Sequence, residues 1–208
     1  MANNFFVTGI GTDVGKTIVS AILTEALKAD YWKPIQAGNV ESSDSMMVQN
    51  LVTNTQTEIH PPVYAFEMPA SPHFAAEKEG VEIHLDAIQI PVTKNHLIIE
   101  GAGGVLVPLN KKELVIDLAA RLGAPVILVV KNYLGAINHT LLSIEALQKR
   151  AIPIAGMIYN DGNRLENIDF IEQYSGIQTI GIIPPLGTIN KACILQEAAK
   201  FAAYFHSR

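Results

Sequence analysis

Gly9-Ile10-Gly11-Thr12-Asp13-Val14-Gly15-Lys16-Thr17 has the residue types needed to hold a polyphosphate. Glycines let backbone N–H groups turn toward phosphate oxygens, and a following helix adds positive potential at its N-terminus. Lys16 is placed to reach the terminal phosphates, and Thr17 to give its hydroxyl to Mg²⁺. Counted back from Gly15, the usual four-residue gap ends on Ile10, so the loop reads Gly-x5-Gly-Lys-Thr, one residue longer than usual. A glycine-rich turn carrying an exposed lysine is the plain alternative. The order of apolar run, Gly-Lys-Thr and helical pattern favours the phosphate site.

Other segments carry complementary groups. Glu100-Gly101-Ala102-Gly103-Gly104 closes an apolar run, where a carboxylate can hold Mg²⁺ and the glycines allow a close approach by a phosphate or second substrate. Asp44, after Ser42-Ser43, reads equally as a second metal carboxylate or as a simple helix cap. Trp32-Lys33-Pro34-Ile35-Gln36-Ala37-Gly38 puts a lysine at the end of another apolar run. It is either a second fixed cation for phosphoryl transfer or a solvent-facing side chain. Asn160-Asp161 can present an amide to a base or form a turn. The six histidines show no paired metal spacing, there is no Gly-x-Ser-x-Gly elbow, and Cys193 falls in a helical pattern.

The elements that must position these groups alternate. Apolar strands are expected at 5–8, 31–35, 96–100, 125–130, 154–159 and 179–183. Helical periodicity marks 16–28, 44–51, 114–122, 138–150, 165–174 and 192–205. Buried strands separated by helices imply an α/β fold of the P-loop NTPase type, a doubly wound and mainly parallel sheet with helices on both faces. Ligands of such sheets bind beyond the carboxyl ends of the strands, where the segments above fall. The 208 residues are 49% apolar and 17% charged, which suits one domain over 1–208. An irregular insertion is expected at about 54–91, a stretch carrying Pro61, Pro62, Pro69 and Pro72. A net charge of −5 without a basic stripe argues against nucleic acid, and no apolar run is long enough for a membrane. One cysteine and an uncharged N-terminus fit a cytoplasmic protein.

Taken together, Phe6-Val7-Thr8-Gly9, Val14-Gly15-Lys16-Thr17, Lys33-Pro34, Ser71-Pro72-His73, Glu100 to Gly104, Leu134-Gly135 with Asn138-His139, and Asn160-Asp161 resemble the dethiobiotin synthetase family in order and spacing. The likeness runs from about residue 5 to 187 and includes the longer loop. It implies ATP- and Mg²⁺-dependent closure of a cyclic urea on 7,8-diaminopelargonic acid with CO₂, in biotin biosynthesis. By the same resemblance, Lys16 and Lys33 are catalytic, and Thr17, Asp44 and Glu100 surround Mg²⁺. It places Asp13, Val14, Gly15, Lys16, Thr17, Ile18, Asp44, Glu100, Gly101, Ala102 and Gly103 around the nucleotide. Asn160 and Asp161 then meet the adenine, flanked by Pro184, Pro185 and Leu186. Ala37 meets the diamine, while Gly135, Ala136 and Asn138 reach its carboxylate from the second subunit of a homodimer.

Two departures stand out. The family usually has a hydroxyl residue where Ala37 stands, and the stretch between Gly38 and Asp44 is short. The competing reading is a regulatory P-loop ATPase of the partitioning or cluster-assembly type. Such switches carry an extra lysine five residues before the main one, where this chain has Gly11. Asn160-Asp161 also lacks the Asn-Lys-x-Asp pattern that reads guanine.

Overall fold

The computed structural model describes residues 3–160 and 166–206. In chain order the elements are β1 (Asn4–Gly9), α1 (Lys16–Leu27), β2 (Asp30–Trp32), β3 (Ile35–Ala37), α2 (Asp44–Leu51), β4 (Ile59–His60), β5 (Tyr64–Phe66) and α3 (Pro72–Lys78). They continue with β6 (Leu97–Gly104), α4 (Val115–Leu122), β7 (Val126–Lys131), α5 (Ala136–Lys149), β8 (Ile154–Asn160), α6 (Glu166–Ser175), β9 (Thr179–Ile183) and α7 (Lys191–His206). Seven strands form one sheet in the order β4-β2-β6-β1-β7-β8-β9, and β3 with β5 forms a second, small one. Among the described residues, the strand pairs in both sheets are parallel.

Side-chain alternation explains the two layers. Phe5 and Val7 of β1, with Ile127 and Val129 of β7, pack against Val19, Ile22 and Leu23 of α1 and Ile194 and Phe201 of α7. Phe6, Val126, Leu128 and Val130 point the other way, into Val115, Ile116, Ile144, Leu147 and Ile171. Both faces are therefore dry, which accounts for the unbroken apolar runs in the sequence.

Two expectations change. The strand expected over 31–35 is split, because β2 ends at Trp32 and Ile35 opens β3 in the small sheet. Pro34 has no N–H for a ladder, and the Lys33 side chain is drawn toward two carboxylates, so the chain leaves the sheet there. The stretch 54–91, expected to be irregular, contains β4, β5, α3 and a 3-10 turn at Leu85–Ala87. β4 extends the main sheet beside β2, and Phe66, Ala75, Ile83, Leu85 and Ile88 enter the core. Its prolines punctuate rather than disorder it: Pro61 and Pro62 follow β4, and Pro72 opens α3 at a position where no N–H is needed.

Away from the loop end of the sheet, two buried carboxylates tie elements together. Asp30, 1% exposed, accepts from the Glu58 amide, Asn95 Nδ2 and Thr93 Oγ1, with His60 Nε2 at 3.3 Å. Asp30, Glu58 and His60 lie close enough to suggest a metal group, but these protein donors already engage both Asp30 oxygens. Glu25 of α1 accepts from the amides and side chains of Thr53 and Asn54.

Burial works to raise both acids, but these hydrogen bonds outweigh it and hold both below their ordinary range. Carboxylates depressed in the folded state stabilise it above the unfolded values near pH 4, and that stability is lost as pH falls through the folded values. Melting temperature should therefore stay level from about pH 8 to 5 and drop below about pH 4. Glu25→Gln with Asp30→Asn should lower stability at pH 7 by about 2–4 kcal/mol and flatten the acid limb. An acid limb unchanged by the double substitution would contradict this account.

Candidate active site

The loop between β1 and α1 wraps back on itself. Asp13 and Gly15 both adopt positive φ, 56° and 90°. A Cβ on Gly15 would lie 2.0 Å from Asn160 Nδ2, so glycine is required there for space as well as for conformation. That same Nδ2 donates to the Val14 carbonyl at 3.0 Å, which ties the end of β8 to the loop. Lys16, 7% exposed, turns its ammonium back to the Gly11 carbonyl at 3.2 Å.

Beside the loop, side chains from α1, α2, β6 and the link between β2 and β3 meet. The Thr17 hydroxyl lies 2.7 Å from Asp44 Oδ1 and 3.0 Å from Glu100 Oε1. Its single proton can serve only one of them at a time. Lys33 Nζ bridges the same two acids, donating to Asp44 Oδ2 and, at 3.1 Å, to Glu100 Oε1. Asp44 is the first residue of α2, whose cap is Ser43, accepting from the Met46 amide. The capping alternative is thereby settled, and the Asp44 carboxylate faces the loop. Two carboxylates and a hydroxyl converging beside a phosphate loop are the hard oxygen donors that suit Mg²⁺. The residues present fit that ion.

The local electrostatics follow from burial and these partners. Burial, with the Lys33 charge adding to it, outweighs Glu100 and Asp44 and lowers the Lys16 pKa. At Lys33 burial also opposes the charge, but Glu100 and Asp44 prevail and raise its pKa, so it stays an ammonium. Asp44 is held below the usual carboxylate range, because Lys33, Thr17 and Lys16 outweigh its burial.

These groups open on a cavity of about 840 Å³. The structure brings Asp13, Gly15, Lys16, Thr17, Ile18, Lys33, Ala37, Asp44, Glu100, Ala102 and Gly103 to its wall. Val14 is buried behind the loop, and Gly101 packs on the Phe6 ring. Pro184 and Pro185 are exposed just past the β9 residue that pairs with Asn160, and Leu186 leans on the core. None of those three lines the cavity. Asp161 lies outside the described residues.

Gly135, Ala136 and Asn138 also stand apart from the cavity. Helix α5 begins at Ala136, two residues earlier than expected, with Gly135 as its cap at φ 101°. Asn138 is therefore inside the first turn. The Ala136 amide is not open to a ligand, because it donates to the Tyr133 carbonyl at 2.9 Å. Ile137 and Asn138 supply the remaining first-turn amides.

Two further residues neighbour the site, of which Tyr31 was not singled out in the sequence. Gln36 lines the cavity and donates from Nε2 to the Gly38 carbonyl at 2.8 Å, which fixes the turn after β3. Tyr31 sits beneath Glu100. Strand periodicity carried that signal, because Tyr31 is two residues before Lys33 and so shares its face.

Comparison with known proteins agrees with this geometry. A family profile described as an AAA domain matches residues 3–192. The ATP-dependent dethiobiotin synthetase of Christiangramia forsetii is 46% identical over 201 residues, 97% of this chain and 97% of that protein. The one from Cytophaga hutchinsonii is 48% identical over 197 residues, covering 94% and 95%. Among solved structures, the septum site-determining protein MinD of Pyrococcus horikoshii, complexed with Mg-ADP, superposes with a TM-score of 0.58 at 17% identity, covering 99% of this chain and 93% of that one. At that identity the likeness speaks for the fold alone.

Proposed function

Because the chain belongs to the family of ATP-dependent dethiobiotin synthetases, we propose the following path for its reaction. It is an ATP-dependent cyclo-ligase of biotin biosynthesis, closing a cyclic urea on 7,8-diaminopelargonic acid with CO₂. One amine of the diamine takes up CO₂ and loses a proton, giving a carbamate anion. A carbamate oxygen attacks the γ-phosphorus of ATP and ADP leaves. The second amine then attacks the activated carbonyl carbon, phosphate departs, the nitrogen loses its proton and the ring closes.

One observation carries this reading. Lys16, Lys33, Thr17, Asp44 and Glu100 face a single cavity of about 840 Å³, roomy enough for a triphosphate and a small diamine together. Loop amides and Lys16 cradle the phosphates. Lys33, held by the same two acids that meet Thr17, offsets charge developing on the transferring group. Thr17, Asp44 and Glu100 would hold Mg²⁺, which when bound neutralises polyphosphate charge. Ala102 and Gly103 leave room for the carbamate beside the phosphate. Positioning and electrostatics suffice, so no covalent enzyme nucleophile enters.

The working unit in this reading is a homodimer in the cytoplasm. The chain's single cysteine and the lack of a membrane-length apolar helix among the described residues fit that location. Tyr133, Leu134, Leu142 and Leu106 are exposed apolar residues, two of them just before α5 and one halfway along it, and they supply a surface for a second copy. The first turn of α5, with amides of Ile137 and Asn138, then meets the diamine's distal carboxylate in the partner's cavity. Sedimentation should give a dimer at assay concentration. Asn138→Asp suits a helix first turn but sets a charge against that carboxylate. It should raise the diamine KM roughly tenfold and leave the ATP KM alone. A fully active monomer would sink the shared site. For the reaction itself, phosphate release should require diamine and bicarbonate together; release indifferent to both points to the regulatory switch.

A further inference from the structure

Tyr31 is fully buried in β2, and its hydroxyl donates to Glu100 Oε2 at 2.9 Å. The sheet dictates this contact. Tyr31 pairs with Ile98 of β6, and Glu100 follows two residues later on the same face, within reach of a long side chain. Glu100, 1% exposed, thus has its two oxygens divided between partners. Oε2 faces inward to a neutral phenol, while Oε1 faces Thr17 and Lys33 at 3.0 and 3.1 Å.

A neutral donor orients a carboxylate without cancelling its charge, whereas a second lysine here would compete with a cation for it. Phenylalanine would fill the same space in the core, so packing alone does not call for the hydroxyl. We infer that Tyr31 is the positioning residue of the metal carboxylate, holding Glu100 Oε2 so that Oε1 is the oxygen presented to Mg²⁺. This rests on the site reading above, and partners of this kind tune metal affinity by about 10–100-fold in other metal sites.

Mn²⁺ provides a direct readout that does not depend on turnover. Free Mn²⁺ is titrated by EPR against the ADP-loaded protein, and ADP binding is measured separately without metal. Tyr31→Phe should raise the Mn²⁺ Kd about tenfold and leave metal-free ADP binding unchanged. Tyr31→3-fluorotyrosine, which keeps the ring and the donor, should restore parental affinity or better. In a Glu100→Gln background, Tyr31→Phe should add little, because the group it orients has lost its charge. A Mn²⁺ curve unchanged by Tyr31→Phe would overturn the inference, even if the protein melts earlier. Failure of the parent protein to bind Mn²⁺ would overturn the site reading and Tyr31's role with it.

Discussion

Lys33→Ala should bind ATP within about threefold of the parent and turn over roughly 100-fold or more slower, as for loss of one donor aimed at transition-state charge. The reason lies in its contacts. Its side chain is 8% exposed, bridges Asp44 and Glu100, and lines the cavity, whereas Lys16 is part of the loop that cradles the phosphates. The same bridge predicts a second effect of opposite sense. Removing the ammonium leaves two neighbouring carboxylates without their counter-ion, so melting before metal is added should fall by about 2–3 kcal/mol in stability. Added Mg²⁺ should recover most of that loss and saturate at lower concentration than in the parent, since it no longer competes with an ammonium. Single-turnover rates and a Mg²⁺ melting series check both. Unchanged turnover would remove Lys33 from the mechanism, and an unchanged Mg²⁺ response would mean the bridge is incidental.

Lys16→Ala should fail at the earlier step. Loss of a charge-assisted contact to the terminal phosphates should weaken ATP binding roughly 100-fold and take turnover down by more than that. The fold should not suffer. Burial outweighs the acids around Lys16 and disfavours its charge, and the described contact of its ammonium is one carbonyl. Melting temperature without nucleotide should therefore stay level or rise slightly, while stabilisation by added ATP disappears. ATP affinity by calorimetry distinguishes the two lysines: Lys16→Ala loses binding, Lys33→Ala loses rate. Normal ATP affinity in Lys16→Ala would refute the phosphate cradle.

The phosphate loop was legible because its chemistry is local. Gly15, Lys16 and Thr17 are consecutive, and the strand before and helix after them follow from simple periodicity. Glu100 and Asp44 were legible as types from the residues, and as partners only through the family resemblance. Their convergence on Thr17 depends on strand order, with β6 between β2 and β1. Tyr31 escaped because a tyrosine in an apolar run reads as core, and its role depends on the β2–β6 register. The 54–91 stretch misled because its strands, β4 and β5, span only two and three residues. Segments that short leave no period to count, and their prolines mark turns around buried side chains instead of an unstructured loop. Ala136 shows a further limit: whether one amide is open depends on a single carbonyl, that of Tyr133, folding back over the helix start.

The central claim, that this chain closes a cyclic urea at the expense of ATP, is tested most directly by following carbon and phosphate together. The purified protein is given ATP, Mg²⁺, ¹³C-bicarbonate and 7,8-diaminopelargonic acid, and products are read by mass spectrometry. The account predicts dethiobiotin carrying one ¹³C, formed in step with one ADP and one phosphate, and no phosphate when the diamine is left out. ATP hydrolysis that proceeds equally without the diamine, with no labelled ring formed, would contradict it.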